Sequence, residues 1–176
     1  MQRLLMVVFA LAIAGCVPMK AKKVAVGDPH AKNLVPDCYT VDLFDPYRLE
    51  YPDQSVPAEV RQFLGVWRQG AWGGKWCHDL YVTAAYPDGT LDVLDLYGPL
   101  PGTAVEATAF KRKARVVDGE LQFGSVGFAT TTYRREGEYL IGVRDGVHGK
   151  FNVTMIREER LAEVPIPPVN PRRRKS

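Results

Sequence analysis

Between Gly65 and Arg157 apolar residues recur at every second position in short runs, and Gly, Pro and Asp gather between the runs. A period of two is the mark of strands that turn alternate side chains to one face. The pattern predicts strands over Gly65–Trp72, Trp76–Tyr86, Leu91–Tyr97, Val105–Val117, Glu120–Phe123, Ala129–Arg135, Tyr139–Arg144 and Lys150–Arg157. Turn signals separate them at Gly73-Gly74, Pro87-Asp88-Gly89, 98–102, Asp118-Gly119, 124–127, Glu136-Gly137 and Asp145-Gly146. Most connections are of hairpin length, so consecutive strands should pair antiparallel. A meander of eight strands leaves two edges, and closure into a small up-and-down barrel removes both. The expected fold class is all-β.

Alternation also assigns faces. On the second strand Trp76, His78, Leu80 and Val82 should point inward, and Cys77, Asp79, Tyr81 and Thr83 outward. Phe151, Val153 and Met155 should point inward on the last strand, as should Tyr139, Ile141 and Val143 on the one before. The period breaks at Val93-Leu94 in the third strand. In the fourth it shifts from Val105, Ala107 and Ala109 to Phe110, Ala114 and Val116. Bulges are expected at both places.

The flanks read differently. Pro57 to Leu64 starts with proline and spaces Val60, Phe63 and Leu64 as one short helix or 3₁₀ turn. Residues 28–56 hold four prolines among Tyr39, Phe44, Tyr47 and Tyr51, and Pro57 follows. Regular structure is not expected there, yet the aromatics are too apolar for a free linker, so this arm should pack as coil on the barrel 57–157. Residues 16–27 carry three lysines among small residues and read as a tether. The stretch 158–176, with its prolines and Arg172-Arg173-Arg174-Lys175, reads as an extended tail.

The chain of 176 residues is 46% hydrophobic and 24% charged, a globular mix, and a net charge of +3 does not argue for nucleic acid. Met1-Gln2-Arg3 precedes an apolar run from Leu4 to Ala14, too short to span a bilayer and built like a secretory signal over 1–15. Ile13-Ala14-Gly15-Cys16 resembles a bacterial lipoprotein box, the alternative being a plain signal whose cleavage site lies beside a cysteine. The resemblance implies that Cys16 becomes the acylated N-terminus, with palmitate among the chains holding the protein at a membrane. Val17, not aspartate, follows the cysteine, which favours the periplasmic face of an outer membrane. With Cys16 assigned to lipid, Cys38 and Cys77 form an even pair in an oxidising space. A disulfide between them is expected, the alternative being two buried thiols.

Phe63-Leu64-Gly65-Val66-Trp67 is a helical turn leading into Gly-x-Trp at the head of eight strands. This resembles the opening of lipocalin-like (calycin) barrels. The resemblance implies that Trp67 plugs one end and that an arginine closing the last strand, here Arg157, lies over it. A full lipocalin is longer than 57–157 and follows its barrel with a helix, so two interiors fit: a ligand cup, or a barrel filled by side chains with a shallow mouth.

Cys77-His78-Asp79 holds the residue types of a nucleophilic triad, but strand neighbours face opposite ways, so no catalytic residues and no enzyme are expected. No metal spacing or cofactor motif is present in the sequence, and none is expected. His78, Leu80, Val82, Phe151 and Val153 are the candidate ligand contacts. Trp67, Trp72 and Trp76 read as core and rim packing. Lys111, Arg112, Lys113 and Arg115, with Arg134 and Arg135, read as a solvated face. Two functions follow as expectations. In one, a lipid-anchored module binds a small amphipathic or apolar ligand. In the other, an interaction lipoprotein docks on an envelope protein or the cell wall through its basic surface and tail.

Overall fold

The computed structural model describes residues 29–41, 47–50, 52–124, 129–147 and 149–158. The signal, Cys16, the tether, Phe44, Tyr51 and the tail beyond Glu158 lie outside them. Eight strands form one closed antiparallel barrel in sequence order: β1 (Gly65–Trp72), β2 (Trp76–Ala85), β3 (Thr90–Tyr97), β4 (Thr108–Val117), β5 (Glu120–Gly124), β6 (Thr130–Glu136), β7 (Tyr139–Gly146) and β8 (Gly149–Arg157). Closure is made by Trp67 and Arg68 of β1 opposite Arg157 and Ile156 of β8. A short helix, α1 (Ala58–Arg61), enters β1, and a 3₁₀ turn occupies Ala31–Asn33. Among the described residues no helix is long and apolar enough to cross a membrane.

The interior is filled by side chains. Phe63, Trp67, Leu80, Leu91, Leu121, Tyr133, Leu140 and Met155 are fully buried around one core. Completely burying a side chain of this size contributes about 1.5–3 kcal/mol.

A second, smaller apolar layer lies on the outside of the sheet. Val66, Tyr81 and Leu96 face outward and are covered by Val41, Tyr47 and Leu49 of the arm, with Leu94 beside them. The Cys38–Cys77 disulfide joins the arm to β2. Thr40 Oγ1 donates to the buried Asp79 carboxylate at 2.9 Å, and the Glu50 amide donates to Thr83 O at 2.7 Å. Desolvation is the largest influence on Asp79 and raises its pKa against the pull of Thr40 and Arg68.

Three expectations need correction. The bulges are not in β3 and β4, whose ladder runs unbroken from Thr90 opposite Arg115 to Tyr97 opposite Thr108. They fall in β1, between Trp67 and Gly70, and in β2, between Val82 and Ala84. The apparent break at Val93-Leu94 arises because both faces of β3 are covered, Leu91 and Val93 by the interior and Leu94 and Leu96 by the arm. Val105 and Ala107 lie in the connection before β4, so they never belonged to its period.

The facing of β7 is reversed. Leu140 is in the interior core, and Gly142 stands opposite Val153, so Leu140, Gly142 and Arg144 point inward. Tyr139, Ile141 and Val143 point outward, Tyr139 against the ring of His30 at 5.3 Å between centroids. A Cβ at Gly142 would stand 2.5 Å from the Tyr133 ring and 2.7 Å from Val153. Only glycine fits where Tyr133 fills the lumen, and a glycine carries no hydropathy signal for its face.

The basic run is not one solvated face either. Lys111, Lys113 and Arg115 are exposed, but Arg112 turns inward. Lys113 pairs with Asp92 at 2.5 Å and Arg134 with Glu136 at 2.5 Å, while Arg135 donates to Gln62 O and Gly137 O.

Candidate functional site in the open end of the barrel

One end of the barrel is sealed. Trp67 is fully buried and donates its indole N–H to Phe63 O at 2.8 Å, which locks the turn after α1 to the first strand. The Arg157 guanidinium lies 5.5 Å from the Trp67 ring centroid and donates to Leu64 O. Gly65 has φ +131°, and a Cβ there would stand 3.0 Å from Arg157 Nε, so the Gly-x-Trp opening is required by both backbone and contact. Burial holds the Arg157 pKa below its usual value, with Arg135 adding to the effect.

The opposite end is closed less tightly: its tryptophan, Trp76, is only partly buried and donates its indole N–H to Gly98 O at 2.8 Å. Its rim carries Trp76, Phe110 and Phe151, the last 39% exposed. Phe151 therefore shares a face with Val153 and Met155 but stands at the mouth, not in the core. Arg144 lies 5.2 Å from the Trp76 ring centroid and 5.9 Å from that of Tyr97, and Arg112 lies 4.7 Å from that of Phe110. Guanidinium groups over aromatic rings leave a surface both apolar and cationic.

Beneath that rim is a polar layer. His78, Asp95, Tyr97 and Tyr133 are each fully buried. His78 Nδ1 stands 2.9 Å from Leu96 O, which can only accept, so Nδ1 carries the proton. His78 Nε2 then accepts from the Tyr133 hydroxyl at 2.7 Å. Desolvation lowers the His78 pKa from its ordinary 6.5, Arg144 adds to the effect, and Asp95 and the Leu96 carbonyl oppose it. The ring is neutral at neutral pH. Desolvation likewise raises the phenol pKa of Tyr133 and Tyr97.

Asp95 Oδ2 accepts from Arg112 Nε at 2.7 Å and from the Tyr97 hydroxyl at 3.1 Å. Its other oxygen, Oδ1, has no hydrogen-bond partner and sits 3.8 Å from His78 Nδ1. The buried indole N–H of Trp72, whose ring centroid is 5.1 Å from that of His78, also has no partner. A buried donor and a buried acceptor are thus both unfilled on the flanks of one histidine. Each such group costs about 1–3 kcal/mol while unpaired.

Of the residues singled out from sequence, His78 belongs to this layer and Phe151 to the rim, while Leu80, Val82 and Val153 are packed in the core. Cys77 is in the disulfide and Asp79 faces the arm, so the structure does not bring the Cys-His-Asp run to one point. Asp95, Arg112, Tyr97, Tyr133, Arg144 and Trp72 were missed as a group. The signal was present for Asp95, which continues the alternation of Leu91 and Val93, but the apolar Leu94 and Leu96 masked that phase.

A pocket of about 540 Å³ among β3 to β6 is lined by Lys113, Arg115, Gln122 and Thr130 together with the core residues Ala114 and Phe123. Among the described residues no group of three side chains could hold a metal ion. No family model, no curated protein and no solved structure matches this chain. The closed eight-stranded antiparallel barrel itself is consistent with a lipocalin-like fold.

Proposed function

We propose that this chain is a lipid-anchored envelope protein of the outer membrane, facing the periplasm, whose barrel takes a small amphipathic or apolar ligand at its open end. The observation that carries the ligand reading is the contrast between ends: one is plugged by Trp67 under Arg157, the other presents Trp76, Phe110 and Phe151 above an incompletely satisfied polar layer. An aromatic-lined end with a few convergent polar groups suits a ligand with an apolar body and one polar head. Support for the anchor comes from residues 1–16 of the sequence, and the Cys38–Cys77 disulfide agrees with an oxidising compartment.

Two measurements test this reading. Cells fed radiolabelled palmitate should label the wild-type chain and not Cys16→Ala, and an unlabelled wild type removes the anchor. The purified barrel should melt higher with amphipaths present, and Trp76→Ala should reduce that rise. An unchanged melting temperature across alcohols, amides and fatty acids removes the ligand reading. Docking through the basic surface is the weaker alternative, because Arg112 is turned inward and Lys113 and Arg134 already have acidic partners. It rests on Lys111, Arg115 and the residues 172–175, and an Arg172-to-Lys175 deletion that leaves membrane pull-downs unchanged at every salt concentration would end it.

A further inference from the structure

The polar layer restricts what the head of such a ligand can be. Asp95 Oδ1 is a buried acceptor lacking a donor, and Trp72 Nε1 is a buried donor lacking an acceptor. Both flank the His78 ring, whose own nitrogens are engaged by Leu96 O and the Tyr133 hydroxyl. A head that reaches this layer must offer a donor to a carboxylate oxygen and an acceptor to an indole N–H. A carboxylate head has no proton to give to Asp95 Oδ1, so it would leave that acceptor unfilled.

We infer that the open end selects amphipaths with a neutral head that both donates and accepts, an alcohol or a primary amide, and discriminates against the matching carboxylate. The inference rests on the proposed ligand site and specifies its head-group chemistry. The head enters first, past Trp76 and Arg144, and the apolar tail lies against Phe110 and Phe151 at the rim. The cationic rim alone would favour the opposite order, since Arg112 and Arg144 both attract anions. Burial decides between them: Arg112 is already paired with Asp95 at 2.7 Å, and the unfilled atoms belong to the buried side chains of Trp72 and Asp95, which stand opposite the rim residues Trp76 and Phe110 in their ladders.

The test is a matched series of octan-1-ol, octanamide and octanoate, titrated into the whole protein with indole fluorescence and melting temperature as readouts. The alcohol and amide should bind about 10-fold tighter than octanoate, the ratio expected when one buried hydrogen bond separates them. Asp95→Asn leaves the Arg112 cation without its carboxylate partner, so a carboxylate head can take that place and the preference should be abolished or reversed. Trp72→Phe should weaken alcohol and octanoate unequally, the alcohol by about 5-fold, and it keeps the test open if Asp95→Asn does not fold. Equal binding of all three, as when a resident water satisfies both atoms, or tighter binding of octanoate by the wild type, overturns this inference and leaves the ligand reading standing. Failure of all three to bind overturns both.

Discussion

The two ends of this barrel are built from similar parts and do different things. At the α1 end an arginine lies over a tryptophan, the indole N–H is satisfied by Phe63 O, and the guanidinium is anchored on Leu64 O. At the other end Arg144 also lies over a tryptophan, but the neighbouring Trp72 and Asp95 keep buried polar atoms with no partner. At the sealed end the tryptophan and the arginine are both paired, and the unpartnered buried oxygen there, Glu158 Oε2, sits 3.5 Å from Arg68 Nη1. Unpaired groups in a buried site give up stability there, and such places are where ligands gain the most from binding.

Four sets of variants separate what the two ends contribute. Trp67→Ala removes a fully buried indole and its hydrogen bond, and should destabilise the protein by about 3–5 kcal/mol in urea unfolding. A loss below ~1 kcal/mol would mean that the sealed end is not where stability resides. Asp95→Ala leaves Arg112 without its buried partner and should cost about 1–3 kcal/mol, discounted because the Arg112 side chain is 20% exposed. The double variant Asp95→Leu with Arg112→Leu should recover most of that loss. If the double variant is worse than the single, the ion pair stabilises the open end after all.

His78 supplies the pH dependence. Its folded pKa lies below 6.5, so the unfolded chain binds the proton more readily, and the contribution of His78 to stability is present above pH 6.5 and lost as pH falls towards the depressed value. The slope it adds cannot exceed about 1.4 kcal/mol per pH unit. Melting curves between pH 7 and pH 5 should be flatter for His78→Gln than for the wild type, and parallel curves would place its titration elsewhere. Arg157→Lys loses the planar stack over Trp67 and should cost about 1 kcal/mol while leaving ligand binding at the far end unchanged. Altered ligand affinity in that variant would show that the ends are coupled.

How much of this was legible beforehand varies by element. The short strands and their turns announce themselves because a Gly or Asp at a turn acts over a few residues only. Gly73-Gly74, Asp118-Gly119 and Glu136-Gly137 each mark the turn they form. Gly65, Trp67 and Arg157 were legible as a set only through the resemblance of the Gly-x-Trp opening and closing arginine to lipocalin-like barrels. The facing of β7 was not, since Gly142 and Arg144, two of its inward residues, do not look like core. Nor was the phase of β3, where the arm makes the outer face as apolar as the inner one.

Strand count and antiparallel order follow from period and turn chemistry, which are properties of neighbours along the chain, whereas the Trp67–Arg157 closure came from a family resemblance and the cysteine pair from setting Cys16 aside for lipid. Only the tertiary structure decided that Asp95, Arg112, Tyr133 and Arg144 meet His78 inside the barrel. Those residues come from five different strands, and each is polar where the local pattern calls for an apolar side chain. What places them inward is the pairing register of the strands that flank them, which no single segment contains.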